Sequence, residues 1–263
     1  MPQWAYEIST LKLALIMVAA VEAISLLGLL LTRRFVLPHL RFHDGVNDAI
    51  SGTVQAIGVF YGITVGLIAV GVWNTNSSAS DIVSKEAAAI GGLYRDVSGY
   101  PEPVRATLQA GLREYTHAVI EKVWPEQRQG RIADDGTRIL NRFQNTLMTF
   151  EPVTAGQAAL HGETLHAFNV LVEHRRLRID AVGGGLSQVM WMVIWIGAVI
   201  SIGVAYFYNI DDAKLHAILV ALMAGFLGLV IFMIVINDRP FTGADGIRPD
   251  SYQVVLDKLI ELR

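Results

Sequence analysis

Glu22 stands in the middle of an apolar run, "MVAAVEAISLLG". A carboxylate at the centre of a membrane helix costs about 2.5–3.5 kcal/mol on insertion scales. A buried carboxyl answers by taking up a proton or finding a partner. Two uses are open: an ion or proton site, or a carboxyl joining two helices through Ser25, Thr64 or Tyr61. His39 and His43 have the i, i+4 spacing of a metal pair, with Asp44 beside them. Pro38 precedes them and no further ligand cluster follows, so interface histidines are expected there. His161, His166 and His174 do not share a helical face at ligand spacing. Arg175, Arg176 and Arg178 form a basic group with two uses. They can face lipid phosphates or gather anions at a vestibule, or pair with Glu86, Asp96 or Glu173 inside a helical domain. There is no phosphate-binding loop, no nucleophile elbow and no H-E-x-x-H. The absence of cysteine removes disulfides, thiolate metal sites and a cysteine nucleophile. No enzymatic activity, cofactor or metal is expected.

A second pattern is a stripe of glycine. In "GVFYGITVG" it recurs at Gly58, Gly62 and Gly66, with Gly52 nearby. Each glycine in a helix interior costs about 1 kcal/mol relative to alanine, so three on one face need a use. Small residues let helices approach closely in lipid. The stripe therefore serves packing within one subunit, packing between subunits of a ring, or the lining of a pore. The neighbouring sets are Phe60 with Thr64, and Val59 with Ile63 and Leu67. A ring of the latter set would make an apolar constriction that gates by dewetting. Thr53 and Gln55 could hydrate an ion at its mouth.

These residues need elements to hold them. The chain is 52% hydrophobic and 17% charged, with a mean hydropathy of +0.42; soluble domains carry about 25% charge. The apolar excess falls in four blocks, 11–31, 54–73, 189–208 and 215–236. Each has about the 20 residues needed to cross a bilayer core as a helix. Aromatic residues flank them: Trp4 and Tyr6, Trp73, Trp191 and Trp195, Tyr206 and Tyr208. The first block lacks a basic leader and a small-residue cleavage site, so a retained anchor is expected. Lys12 at its end can snorkel. A net charge of −3 argues against a nucleic-acid partner.

The fold expected is all-α: spans 1 and 2 within 1–73, a helical domain over 74–187, spans 3 and 4 within 188–236, and a tail over 237–263. Both termini and the central domain then share one side of the membrane. The first helix and the wider count of basic residues favour opposite orientations. In the central domain, "SDIVSKEAAAIGGLYRDV" could extend span 2. "PEP" at 101–103 breaks and restarts the chain, and Val104, Leu108, Leu112, Tyr115, Val119 and Val123 recur at helical spacing. "WPEQRQG" ends or kinks that helix. Asp134 or Asp135 would cap the next, which carries Ile139, Leu140, Phe143 and Leu147. A last helix over roughly 155–182 would carry Leu160, Leu165, Phe168, Leu171 and Val172. In the tail, Phe241 would plug into the domain while Asp238 and Arg239 cap the fourth span.

This layout resembles the bestrophin plan. More closely, the chain is similar to the bacterial bestrophin-like family, through "KEAAAIGGLYRD" at 85–96, "EKVWP" at 121–125, "HRRLRI" at 174–179 and "RPFTGADGIRP" at 239–249. The resemblance implies a multi-pass protein of the bacterial plasma membrane, with both termini and 74–187 in the cytoplasm. It implies a homo-oligomer, most simply a pentamer, with span 2 at the axis and passive ion conduction, anions slightly preferred. The partners are the lipid bilayer, further copies of the chain and the permeating ion. The bestrophin calcium clasp needs an acidic run that is missing here, so calcium gating is not implied. The rival expectations are a non-conducting scaffold or sensor, and a proton- or cation-coupled device built on Glu22.

Overall fold

The computed structural model describes residues 9–40, 43, 45–243 and 246–261. Trp4, Tyr6, Arg41, Asp44 and Arg263 lie outside the described residues. The chain divides into two compact units, Met1–Asn74 with Gly185–Asp238, and Thr75–Gly184 with Arg239–Arg263. The described residues are mostly helical and contain no strand.

The membrane unit holds α1 (Thr10–Leu31), the first part of α2 (Val46–Val97), α7 (Gln188–Ala205) and α8 (Ala213–Asn237). All four helices are long and apolar enough to cross a membrane. The sequence sets their ends. Ser187 accepts a hydrogen bond from Met190 N, and Asp212 accepts from Lys214 N and Leu215 N, so α7 and α8 open on capped first turns. α8 is the helix around which the unit packs, with Val220, Ala224, Gly225, Leu227, Gly228, Ile231 and Ile234 buried. α1 lies along it and buries only Ser25 and Leu29. Small residues make this approach possible: a methyl group at Gly228 would stand 3.3 Å from the Cα of Val18.

Beyond α1, a π turn (Thr32–Val36) leads away from the span. Arg33 donates to Ile210 O at 2.9 Å and meets His216 Nδ1 at 3.1 Å. A guanidinium only donates, so Nδ1 accepts and Nε2 keeps the hydrogen that it gives to Ala205 O at 3.1 Å. One arginine thereby ties the end of α1 to the α7–α8 connection.

The second unit holds the rest of α2, α3 (Val104–Ala118), α4 (Trp124–Gln127), α5 (Asp135–Met148), α6 (Ala155–Val182) and α9 (Asp250–Val255). α2 runs 52 residues without a break, so the helix-forming stretch after Trp73 does continue the span. A π turn over Val119–Val123 joins α3 to α4, and the helix ends after Gln127, near Gly130 at φ +73°. α6 opens on a capping box, Thr154 with Gln157. Asp134 takes the N-cap position of α5, as expected, without a side-chain cap bond. Val172 is 38% exposed while Phe168 and Leu171 are buried, because Val172 falls just past the inward face of α6. Asp238 takes the C-cap position of α8, as expected, and its carboxylate also accepts from Leu186 N at 2.6 Å, just before the start of α7. Phe241 is buried against the edge of Trp124 at a ring separation of 5.8 Å.

Candidate functional site: the free face of the second span

Tyr61, Val65, Ala69 and Val72 are the buried residues of α2 in the membrane unit. They recur at i, i+4, i+8 and i+11 and form one narrow stripe. Val59, Ile63 and Leu67 lie about 160–240° round the helix from Tyr61, at about 100° per residue. All three are exposed, as are Phe60, Val70 and Trp73. Thr64 turns its hydroxyl back to Phe60 O at 2.8 Å and so presents a satisfied, weakly polar surface. Thr53 does the same toward Ala49 O, and Gln55 is exposed. The free face is therefore apolar through the span and polar at its Thr53–Gln55 end.

The glycine stripe borders the buried stripe. A methyl group added at Gly58, Gly62 or Gly66 would meet nothing within 4 Å. Packing within the subunit is thereby overturned as the use of these glycines. Gly62 and Gly66 line instead an open apolar groove of about 530 Å³ between α2 and α8, whose walls include Tyr61, Val65, Trp73, Phe226 and Val230. The glycines that pack within the chain are others. Gly197 lies under the Tyr61 ring, which is held there by a hydrogen bond from Tyr61 Oη to Ile194 O at 2.9 Å. Gly28 receives Tyr206, and Gly225 receives Glu22.

Glu22 is half-buried between α1 and α8. A methyl group at Gly225 would stand 2.6 Å from its Oε1. The three partners expected for it are engaged elsewhere: Ser25 with Val21 O, Thr64 with Phe60 O and Tyr61 with Ile194 O. Glu22 is thus on a different helix pair from the free face of α2.

The arginine group separates in the folded chain. Arg178 is 1% exposed and forms a double hydrogen bond with Glu86, which is 0% exposed, at 2.6 and 3.1 Å. Tyr115 donates to the same carboxylate at 2.7 Å, and the guanidinium lies 5.8 Å from the Trp124 ring centre. A buried cation facing a vestibule or lipid is ruled out at this position. Arg175 donates to Thr137 Oγ1 at 2.6 Å, and Arg176 is exposed. Among the described residues no group of three acids or histidines is placed to hold a metal. His39 Nδ1 meets Phe35 O, and His161 Nδ1 meets the Tyr100 hydroxyl.

Burial, and then the Glu86 carboxylate, hold the Tyr115 and Tyr252 phenols well above their ordinary range. Both stay protonated in the fold at a pH where the unfolded chain ionises. Their contribution to stability is complete below about pH 10, the ordinary tyrosine value, and is lost as pH rises beyond it. We expect melting temperature to fall above about pH 10, together with the ultraviolet signature of tyrosinate. Tyr115→Phe should remove part of that alkaline loss.

The sequence model of the Bestrophin-like domain matches residues 19–252. No curated protein matches the chain. Among solved structures, it is similar to variants of a bacterial bestrophin homologue from Klebsiella pneumoniae. One aligns with a TM-score of 0.68 at 9% identity, covering 95% of this chain and 99% of the other. A second gives 0.66 at 10% identity, covering 93% and 98%. A third gives 0.65 at 11% identity, covering 92% and 97%. At such identity the likeness establishes the fold.

Proposed function

This chain belongs to the Bestrophin-like family, and from that premise we propose that it is a homo-oligomeric, passive ion channel with α2 lining the pore. The observation that carries the proposal is the face formed by Val59, Ile63 and Leu67. It is apolar, it runs opposite the buried stripe of α2, and nothing among the described residues covers it. A ring of such faces makes a narrow neck that hydrated ions cross only when it wets. Phe60 and Thr64 flank the neck, and Gln55 stands at one mouth. The groove beside Gly62 and Gly66 receives a helix of the neighbouring subunit, where glycine permits the close backbone approach that a narrow ring requires. Five copies are the stoichiometry we assign, with both termini and the second unit in the cytoplasm. Anions are the preferred ion: Glu22, the carboxylate at the middle of a span, is placed between α1 and α8, so it adds no negative charge to the pore.

The test is ion flux from lipid vesicles holding the purified protein, with chloride and potassium gradients measured separately. Trimming the neck by Ile63→Ala should raise chloride flux several-fold, because a wider, less apolar constriction wets more readily. A folded, oligomeric protein that passes neither ion, with or without the substitution, overturns conduction and leaves a scaffold role.

A further inference from the structure

In the second unit α2 buries Ala79, Val83, Ala87, Ile90, Leu93 and Val97. Asp81, Lys85, Ala88 and Gly92 fall on the opposite side of the helix, about 140–200° from Val83 or Ile90, with Arg95 at its edge, and all five are exposed. Two features mark this face. First, several exposed charges of α3 to α5 and the turns beside them are held in local pairs, Arg105 with Glu102, Arg131 with Glu126, Arg138 with Asp135 and Arg142 with Glu114, while the charges of this face, like Glu163, Glu173 and Arg176 on α6, are left to act on what comes near them. Asp81, Lys85 and Arg95 enter none of the ion pairs among the described residues, although Asp81 and Lys85 sit at the i, i+4 spacing where pairing is favourable. Second, the other exposed residues along this part of α2 are small: Ser77, Ser78, Ser80, Ser84, Ala88 and Gly92. Bulk is removed and unpaired charge is kept.

We propose that Lys85 is the residue that selects anions in the vestibule beyond the neck, with Asp81 opposing it. This rests on the reading that α2 lines a pore. The chemistry is that of a small inorganic anion. A compact ammonium group on a flexible stem holds a partly hydrated anion loosely enough to let it leave. A lumen lined by one sign of charge raises the local concentration of the opposite ion. Asp81, one turn away, subtracts from that field. Arg95 adds to it further along, so the face carries a net positive charge per subunit. The neck discriminates by wetting, and the sign of the permeating ion is decided here.

The experiment measures reversal potentials under a potassium chloride gradient, with full-length protein in planar bilayers. The proteins compared are wild type, Lys85→Glu, Asp81→Asn and Lys85→Cys. The natural chain has no cysteine, so the introduced thiol is the sole target of charged thiol reagents. Lys85→Glu should shift the chloride-to-potassium permeability ratio toward potassium by about tenfold. Asp81→Asn should shift it the other way. In the Lys85→Cys protein, a cationic reagent on the thiol should restore the wild-type ratio, and an anionic reagent should reproduce the effect of Lys85→Glu. Rescue by charge alone distinguishes selection from a structural role. Conduction that persists with an unchanged ratio in all variants overturns this inference and leaves the pore intact. A wild type that does not conduct overturns the proposed function and this inference with it.

Discussion

Arg178→Leu, with Glu86 left in place, is expected to cost about 3–5 kcal/mol, the usual penalty for stranding one partner of a buried ion pair. Glu86 is fully buried and its carboxylate is held by both Arg178 and Tyr115. Removing the guanidinium leaves the Tyr115 hydroxyl as its remaining hydrogen-bond partner. That is too little to offset the loss of its hydration. Glu86→Gln combined with Arg178→Met should regain most of the loss, because the charge goes with its partner and the volume is roughly kept. The measurement is a melting curve of the purified protein in detergent, followed through Trp124, which lies against this cluster. Equal losses in the single and double variants would show that packing, not charge, holds this core. The pair matters beyond stability. Glu86 lies on the continuation of α2, and Arg178 lies on α6, which ends at Val182, shortly before α7. A bond between them fixes one helix of the second unit against the other.

The second large effect separates two kinds of glycine. Gly197→Ala drives a methyl group into the Tyr61 ring, and that ring is pinned by its bond to Ile194 O. Overpacking of this sort costs about 1–3 kcal/mol, and it should lower the melting temperature of the isolated subunit. At Gly62 an added Cβ meets nothing within 4 Å among the described residues, and the rest of a leucine side chain would enter the open groove. Gly62→Leu should leave the subunit's fold intact, or strengthen α2 by up to about 1 kcal/mol through helix propensity. Yet it fills the groove proposed to receive a neighbouring subunit, so the assembly should fall to monomers in size-exclusion chromatography. An intact oligomer carrying Gly62→Leu would remove the stripe from the subunit interface.

Some of this was legible along the chain. A bilayer core of about 30 Å demands about 20 apolar residues in a row, so four runs of that kind read directly as spans. The break at "PEP" read directly as well, because proline acts on its nearest neighbours. The extension of α2 past Trp73 was visible in its helix-forming composition. Other features failed to read for one recurring reason. Three arginines within four residues look alike in sequence. Helical phase sends Arg178 into the core, Arg175 to Thr137 and Arg176 to the surface. Leu171 and Val172 are neighbours in an apolar series, and one step of about 100° sends Leu171 inside and Val172 outside.

The glycines show the same limit most clearly. Their spacing marked Gly58, Gly62 and Gly66 as a contact face, while Gly28, Gly197, Gly225 and Gly228 carried no pattern that stood out. It is the latter group that meets other helices within the chain. Glu22 was visible as a costly carboxylate, but its place against Gly225 depended on how α1 lies along α8. By itself the sequence determined which segments enter the membrane and where helices start and stop, since length, composition and local hydrogen bonding act over a few residues. The tertiary structure alone decided which side of each helix is covered. That choice is made by residues far apart in the chain, and it leaves the face of Val59, Ile63 and Leu67 open.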